Sequence, residues 1–180
     1  MRLSGVADAP HPSTPCSRED TLTAWHEAGH AVVYVLQGRS LRYVTLRPRG
    51  TGRAGFTAVR PRPVDLASVA VVAHAGPLAQ ARHVLDSTSA AELRREDLTP
   101  EAIALDAYLH GGHDDLALVA QARRAYGLPA RQADPWAGIA RDLIGQYWPQ
   151  IGRVAAGLLA HRTLTGRQVR AYLDDAGSAR

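Results

Sequence analysis

Two histidines and a glutamate inside an otherwise apolar helix constrain this chain more than any other feature. From about Thr21 to Leu36 the residues Ala24, Ala28, Ala31, Val32, Val35 and Leu36 recur at helical spacing. Asp20 or Thr21 is the expected N-cap, and Gly38 sits where a helix stops. Within this segment lies His26-Glu27-Ala28-Gly29-His30, the pattern H-E-x-x-H. Polar groups on a buried helix need partners, and metal ligation supplies them. Residues four apart share a helical face with Cβ atoms about 5–6 Å apart. Both imidazoles then reach one Zn²⁺ at about 2.0–2.1 Å. Glu27 is one residue along and does not compete as a ligand; it is left to hold and deprotonate a metal-bound water. With 8 histidines and 5 glutamates in 180 residues, chance supplies such a match in about one chain per hundred. The alternative, three polar residues on a solvated face, leaves the apolar neighbours unexplained.

A catalytic zinc takes three protein ligands and keeps one position open. The best source of the third is His110-Gly111-Gly112-His113-Asp114-Asp115-Leu116, at a glycine-loosened helix start. One acid there can simply cap the helix. Residue chemistry alone leaves Asp114, Asp115 and His113 open as ligands. His110 and His113 are also candidates for assisting an oxyanion, whereas His74 and His83 have no legible partner.

The rest of the chain reads as mainly α with a small β-hairpin. Residues 41–46 form a strand, 47–52 a Pro/Gly turn and 55–59 a second strand. Residues 64–85 are an apolar helix, in which Pro77 should cause a kink or begin a second segment after Gly76. Residues 86–100 resist assignment. Helices are expected over 101–109 and 114–126, then over 135–161 with a break near Pro149, and finally over 166–173. The expected organisation is a flexible leader over 1–18, one domain over 19–174 and a tail over 175–180.

Several function classes are disfavoured. All 21 basic residues are arginine and are scattered, apart from a loose group at Arg47, Arg49, Arg53, Arg60 and Arg62, so no nucleic-acid surface is expected. Cys16 is the only cysteine, which rules out an internal disulfide and suits a reducing, cytoplasmic setting. No run of about 18 apolar residues spans a membrane, and residues 1–15 lack a secretory apolar core. Gly50-Thr51-Gly52-Arg53-Ala54-Gly55 matches G-x-G-x-x-G, but a strand and prolines follow where a dinucleotide site needs a helix.

These residues resemble the peptidase domain of the FtsH-type ATP-dependent zinc metalloproteases, over roughly Thr21 to Leu173. His26-Glu27-Ala28-Gly29-His30 with Ala31-Val32-Val33 resembles the family's zinc helix. Val44 to Gly50 and Gly55-Phe56-Thr57 resemble its strand pair. Ala75-Gly76-Pro77-Leu78-Ala79 resembles a glycine-rich turn of its central helix. Gly111-Gly112-His113-Asp114-Asp115-Leu116 resembles the segment bearing its third ligand, where an Asn-Asp-hydrophobic triplet is usual. The resemblance thus assigns the third ligand to Asp115 and sets Asp114 in the asparagine's place. Trp148, Val154, Leu158-Leu159 and Thr163-Leu164-Thr165-Gly166 resemble its terminal helices. There are departures: no G-x-x-x-x-G-K-[ST] loop, no room for an ATPase domain, no membrane anchor, Pro77 where arginine is frequent, and Gln80 and Ala81 near the place of the family's paired acids.

The resemblance implies a helical zincin fold and peptide-bond hydrolysis by Glu27-activated, zinc-bound water, with Zn²⁺ on His26, His30 and Asp115. A peptide or unfolded protein would be the substrate, held in extended form along Gly55, Phe56 and Thr57. A separate ATPase or partner protein acting in trans is compatible with that picture. The rival expectation is a catalytically silent domain of the same fold that binds a protein partner.

Overall fold

Ser17 and Asp20 decide where the first helix begins. The Ser17 hydroxyl accepts from the Asp20 backbone N–H at 2.9 Å, and the Asp20 carboxylate accepts from the Ser17 N–H at 3.3 Å. This reciprocal capping box satisfies two amides that would otherwise lack partners. The N-cap is therefore Ser17, not Asp20 or Thr21. Helix α1 (Arg18–Leu36) starts just inside the expected leader.

The computed structural model describes residues 16–47, 55–60, 65–110, 112–129 and 131–174. The expected leader up to residue 15, most of the 47–52 turn, the tail, and Arg49, Arg53 and Arg62 lie outside them. The chain continues as strands β1 (Leu41–Thr45) and β2 (Phe56–Val59) and helices α2 (Leu66–Ser87), α3 (Ala90–Arg95), α4 (Pro100–His110) and α5 (His113–Ala125). Helices α6 (Pro135–Gln146) and α7 (Trp148–His161), strand β3 (Thr163–Thr165) and helix α8 (Gly166–Asp174) complete it. The architecture is mainly helical with a small antiparallel sheet.

That sheet is larger than the expected hairpin. Its order is β2-β1-β3, so β1 is central and β2 is an edge. Val44 pairs with Thr57 on one side and with Leu164 on the other. The third strand has only three residues between two helices, too few to show a period of two. The Thr45 and Thr163 hydroxyls bond across it at 2.6 Å.

Helix α2 is unbroken through Pro77 and does not restart after Gly76. Proline removes one ladder bond, yet the surrounding packing holds the helix in line. It runs antiparallel to α1: His26 meets Gln80, His30 meets the Val72 carbonyl, and Gln37 meets the Ser68 carbonyl. Their approach is close because Gly29 faces Ala75 and Ala79; a Cβ at Gly29 would come within 2.8 Å of the Ala79 Cβ. Around this pair Val32, Val33, Val44, Ile151, Val154, Leu158, Leu164 and Val169 are fully buried. Each such side chain contributes about 1.5–3 kcal/mol relative to exposure.

Residues 86–100, unassigned from sequence, contain α3, capped by Ser89 and Glu92 in a second capping box. The long stretch over 135–161 divides at Tyr147, two residues before Pro149. Pro149 stands in the first turn of α7, where its missing N–H costs nothing. His83 stacks on Trp25 with ring centroids 4.5 Å apart. Trp25 in turn packs on Trp148, and Arg82 lies over Trp148, joining α1, α2 and α7.

Candidate metal centre

His26 and His30 point from α1 into a space closed by α2 and by the first turn of α5. Their Nε2 atoms are 3.0 Å apart. Asp115 Oδ2 lies 3.2 Å from His26 Nε2 and 3.3 Å from His30 Nε2. Tetrahedral bonds of about 2.0–2.1 Å place ligand atoms about 3.3–3.4 Å apart, so the triangle has the size zinc requires. His26, His30 and Asp115 form the one such group of potential ligands found among the described residues. The exposures are 5%, 8% and 9%, so solvent does not satisfy them.

The outer ring nitrogens fix the tautomers. His30 Nδ1–H donates to the Val72 carbonyl at 2.8 Å, and His26 Nδ1–H donates to Gln80 Oε1 at 3.1 Å. In the neutral imidazoles both Nε2 atoms therefore present lone pairs. Two nitrogen lone pairs and a carboxylate converge with no donor between them, an arrangement that calls for a cation. A proton can take that role: burial disfavours charge on His30, but the charge and hydrogen bond of Asp115 outweigh it and raise its pKa to about 9. For Asp115 burial acts upward, and the two histidines overcome it to hold the carboxyl well below the usual carboxylate range.

Two glycines let the elements close on this point. A Cβ at Gly76 of α2 would press against the His30 ring and lie 2.8 Å from His26 Nε2. At Gly112 a Cβ would lie 2.7 Å from Pro77 Cγ and 3.1 Å from Asp115 Oδ2. Gly112 is the α5 N-cap and has no side-chain cap bond, so neither Asp114 nor Asp115 stands at the cap position that the sequence allowed one acid of this stretch. Asp114 is exposed, and Asp115 is the acid that reaches the histidines. The side chains of His110 and His113 lie outside the described residues.

Glu27 leaves the triangle and faces the sheet. The Thr57 hydroxyl donates to Glu27 Oε2 at 2.6 Å. Gly55 approaches so closely that a Cβ would lie 2.7 Å from Glu27 Cγ. The three residues expected to hold substrate thus differ in what they touch: Gly55 and Thr57 contact Glu27, while the Phe56 ring lies 6.4 Å from that of Tyr43.

His74, without a partner legible in the sequence, is buried in a separate network. Its Nε2–H donates to Asp134 Oδ2 at 3.1 Å, and its Nδ1 accepts from the Tyr108 hydroxyl at 2.5 Å. Burial, together with the charges of Asp115 and Asp134, holds the Tyr108 phenol far above its ordinary pKa. The supporting roles of Gln80, Val72 and Gly76 were not read from sequence; their common spacing of four along α2 is the only local signal.

No family model matches the chain, and no curated protein matches it. Among the described residues no helix is long and apolar enough to cross a membrane.

Proposed function

We propose that this chain is a zinc metallopeptidase with the helical zincin fold of FtsH-type peptidase domains. One observation carries the reading: three buried acceptor atoms, His26 Nε2, His30 Nε2 and Asp115 Oδ2, converge at zinc spacing beside a carboxylate that is not part of the triangle. When bound there, Zn²⁺ would supply Lewis acidity, lowering the pKa of water toward about 7 and polarising the scissile carbonyl. Gln80 and the Val72 carbonyl hold the two imidazoles in the ligating tautomer. Glu27, steadied by Thr57, takes the water proton on its carboxylate and delivers it to the leaving amine. The outer edge of β2 would bind an extended peptide by strand addition, bringing its backbone past Glu27. A cytoplasmic setting, a peptide or unfolded-protein substrate, and an ATPase partner in trans belong to the same proposal.

The test is hydrolysis of an unfolded protein such as reduced casein by zinc-loaded protein. Glu27→Gln should retain zinc and lose at least about 10²-fold in rate. Equal rates in wild type and Glu27→Gln would sink the peptidase reading and favour the binding-module alternative.

A further inference from the structure

Asp115 carries a short side chain on the first turn of α5, and among the described residues the polar partners of its carboxylate are His26 and His30. Its place in the triangle therefore depends on where α5 is docked. That docking is fixed near both ends of the helix. At the N-terminal end the Gly112 N–H donates to the Tyr108 carbonyl at 3.2 Å, and the Gly112 carbonyl accepts from the Leu116 N–H at 3.0 Å. A Cβ at Gly112 would lie 3.4 Å from Tyr108 Cα and 3.1 Å from Asp115 Oδ2. The turn that bears Asp115 thus hangs from Tyr108, whose hydroxyl donates to His74 Nδ1 on α2 at 2.5 Å. Toward the C-terminal end the Arg123 guanidinium lies 3.8 Å from Asp134 Oδ2 and donates to the Pro129 and Gln132 carbonyls at 2.7 and 3.0 Å. The same Asp134 oxygen accepts from His74 Nε2–H at 3.1 Å. One buried imidazole on α2 therefore ties down both ends of α5, with both of its ring nitrogens engaged. A fully satisfied buried network of this kind fixes one arrangement of the elements it joins, where apolar packing alone would allow sliding.

We propose that His74, Tyr108 and Asp134 are positioning residues for the third zinc ligand, setting the height of α5 against α2 and so holding Asp115 Oδ2 at ligand distance from the two histidines. This rests on the zinc-centre reading. Helix α2 then aims all three ligand atoms. Gln80 orients His26, the Val72 carbonyl orients His30, and His74 places Asp115 through Tyr108 and Asp134. A ligand set must be held within about 0.5 Å of its working geometry, and a side chain as short as aspartate cannot follow a helix that slips further than that.

The experiment measures zinc affinity by chelator competition for the full chain as wild type, Tyr108→Phe, Asp115→Ala and the double variant, each checked for folding by circular dichroism. Tyr108→Phe should bind zinc about 10-fold more weakly than wild type. In the Asp115→Ala background the same change should alter affinity by less than about twofold, because the ligand it positions is already gone. His74→Ala, which cuts both ties at once, should lose at least as much and show the same dependence on Asp115. Wild-type affinity in a folded variant of either kind would overturn this proposal alone. An equal loss with and without Asp115 would also overturn it, since that marks a general loosening of the fold. A folded wild type that binds no zinc would overturn the zinc-centre reading and this proposal with it.

Discussion

Gly76 is the position where one methyl group most directly decides whether the site exists. Alanine suits a helix interior better than glycine by about 0.5–1 kcal/mol. Its Cβ, however, would enter the space between the His26 and His30 rings. Gly76→Ala is therefore expected to stay helical yet lose about 10–100-fold or more in zinc affinity, read by chelator competition. Wild-type affinity in this variant would contradict the geometry. At this scale the legible residues are those whose relation is local. His26, Glu27 and His30 are fixed by helical spacing alone. Asp115 is not, because the choice among Asp114, Asp115 and His113 depends on how α5 docks. Gln80 and the Val72 carbonyl become partners only because α2 lies antiparallel to α1, a fact no local pattern carries.

Helix α2 connects most of the molecule. Its Val72, Gly76 and Gln80 face α1, while His74 points elsewhere, to Tyr108 of α4 and to Asp134 at the start of α6. Tyr108→Phe would leave His74 Nδ1 buried without a donor, at a cost of about 1–3 kcal/mol measurable by urea unfolding. Unchanged stability would mean the network does not tie these helices together. The helices that sequence reads well are those with clear periodicity or boundary signals, such as α1, α5 and α8. Pro77 misled because proline's usual effect is overridden by packing against Gly112 and the neighbouring helices. The break between α6 and α7 falls at Tyr147, since Pro149 belongs in a first turn rather than at an end. Helix α3 and strand β3 escaped because each is too short for its hydrophobic pattern to register.

At the scale of the whole molecule, an apolar helical core and a small sheet hold one polar point where α1, α2 and α5 meet, with β2 alongside at Glu27. The mainly helical class was legible from composition and periodicity; residue chemistry pointed to residues 110–116 for the third ligand, and only the family resemblance chose Asp115 from among them, so that two separated segments meet at one triangle. The central claim is that this triangle holds zinc. Elemental analysis of purified wild type, His26→Ala and Asp115→Ala after exposure to zinc and removal of free metal tests it most directly. The account predicts one zinc per chain in wild type, none in His26→Ala and weakened retention in Asp115→Ala. A well-folded wild type that retains no zinc would contradict it.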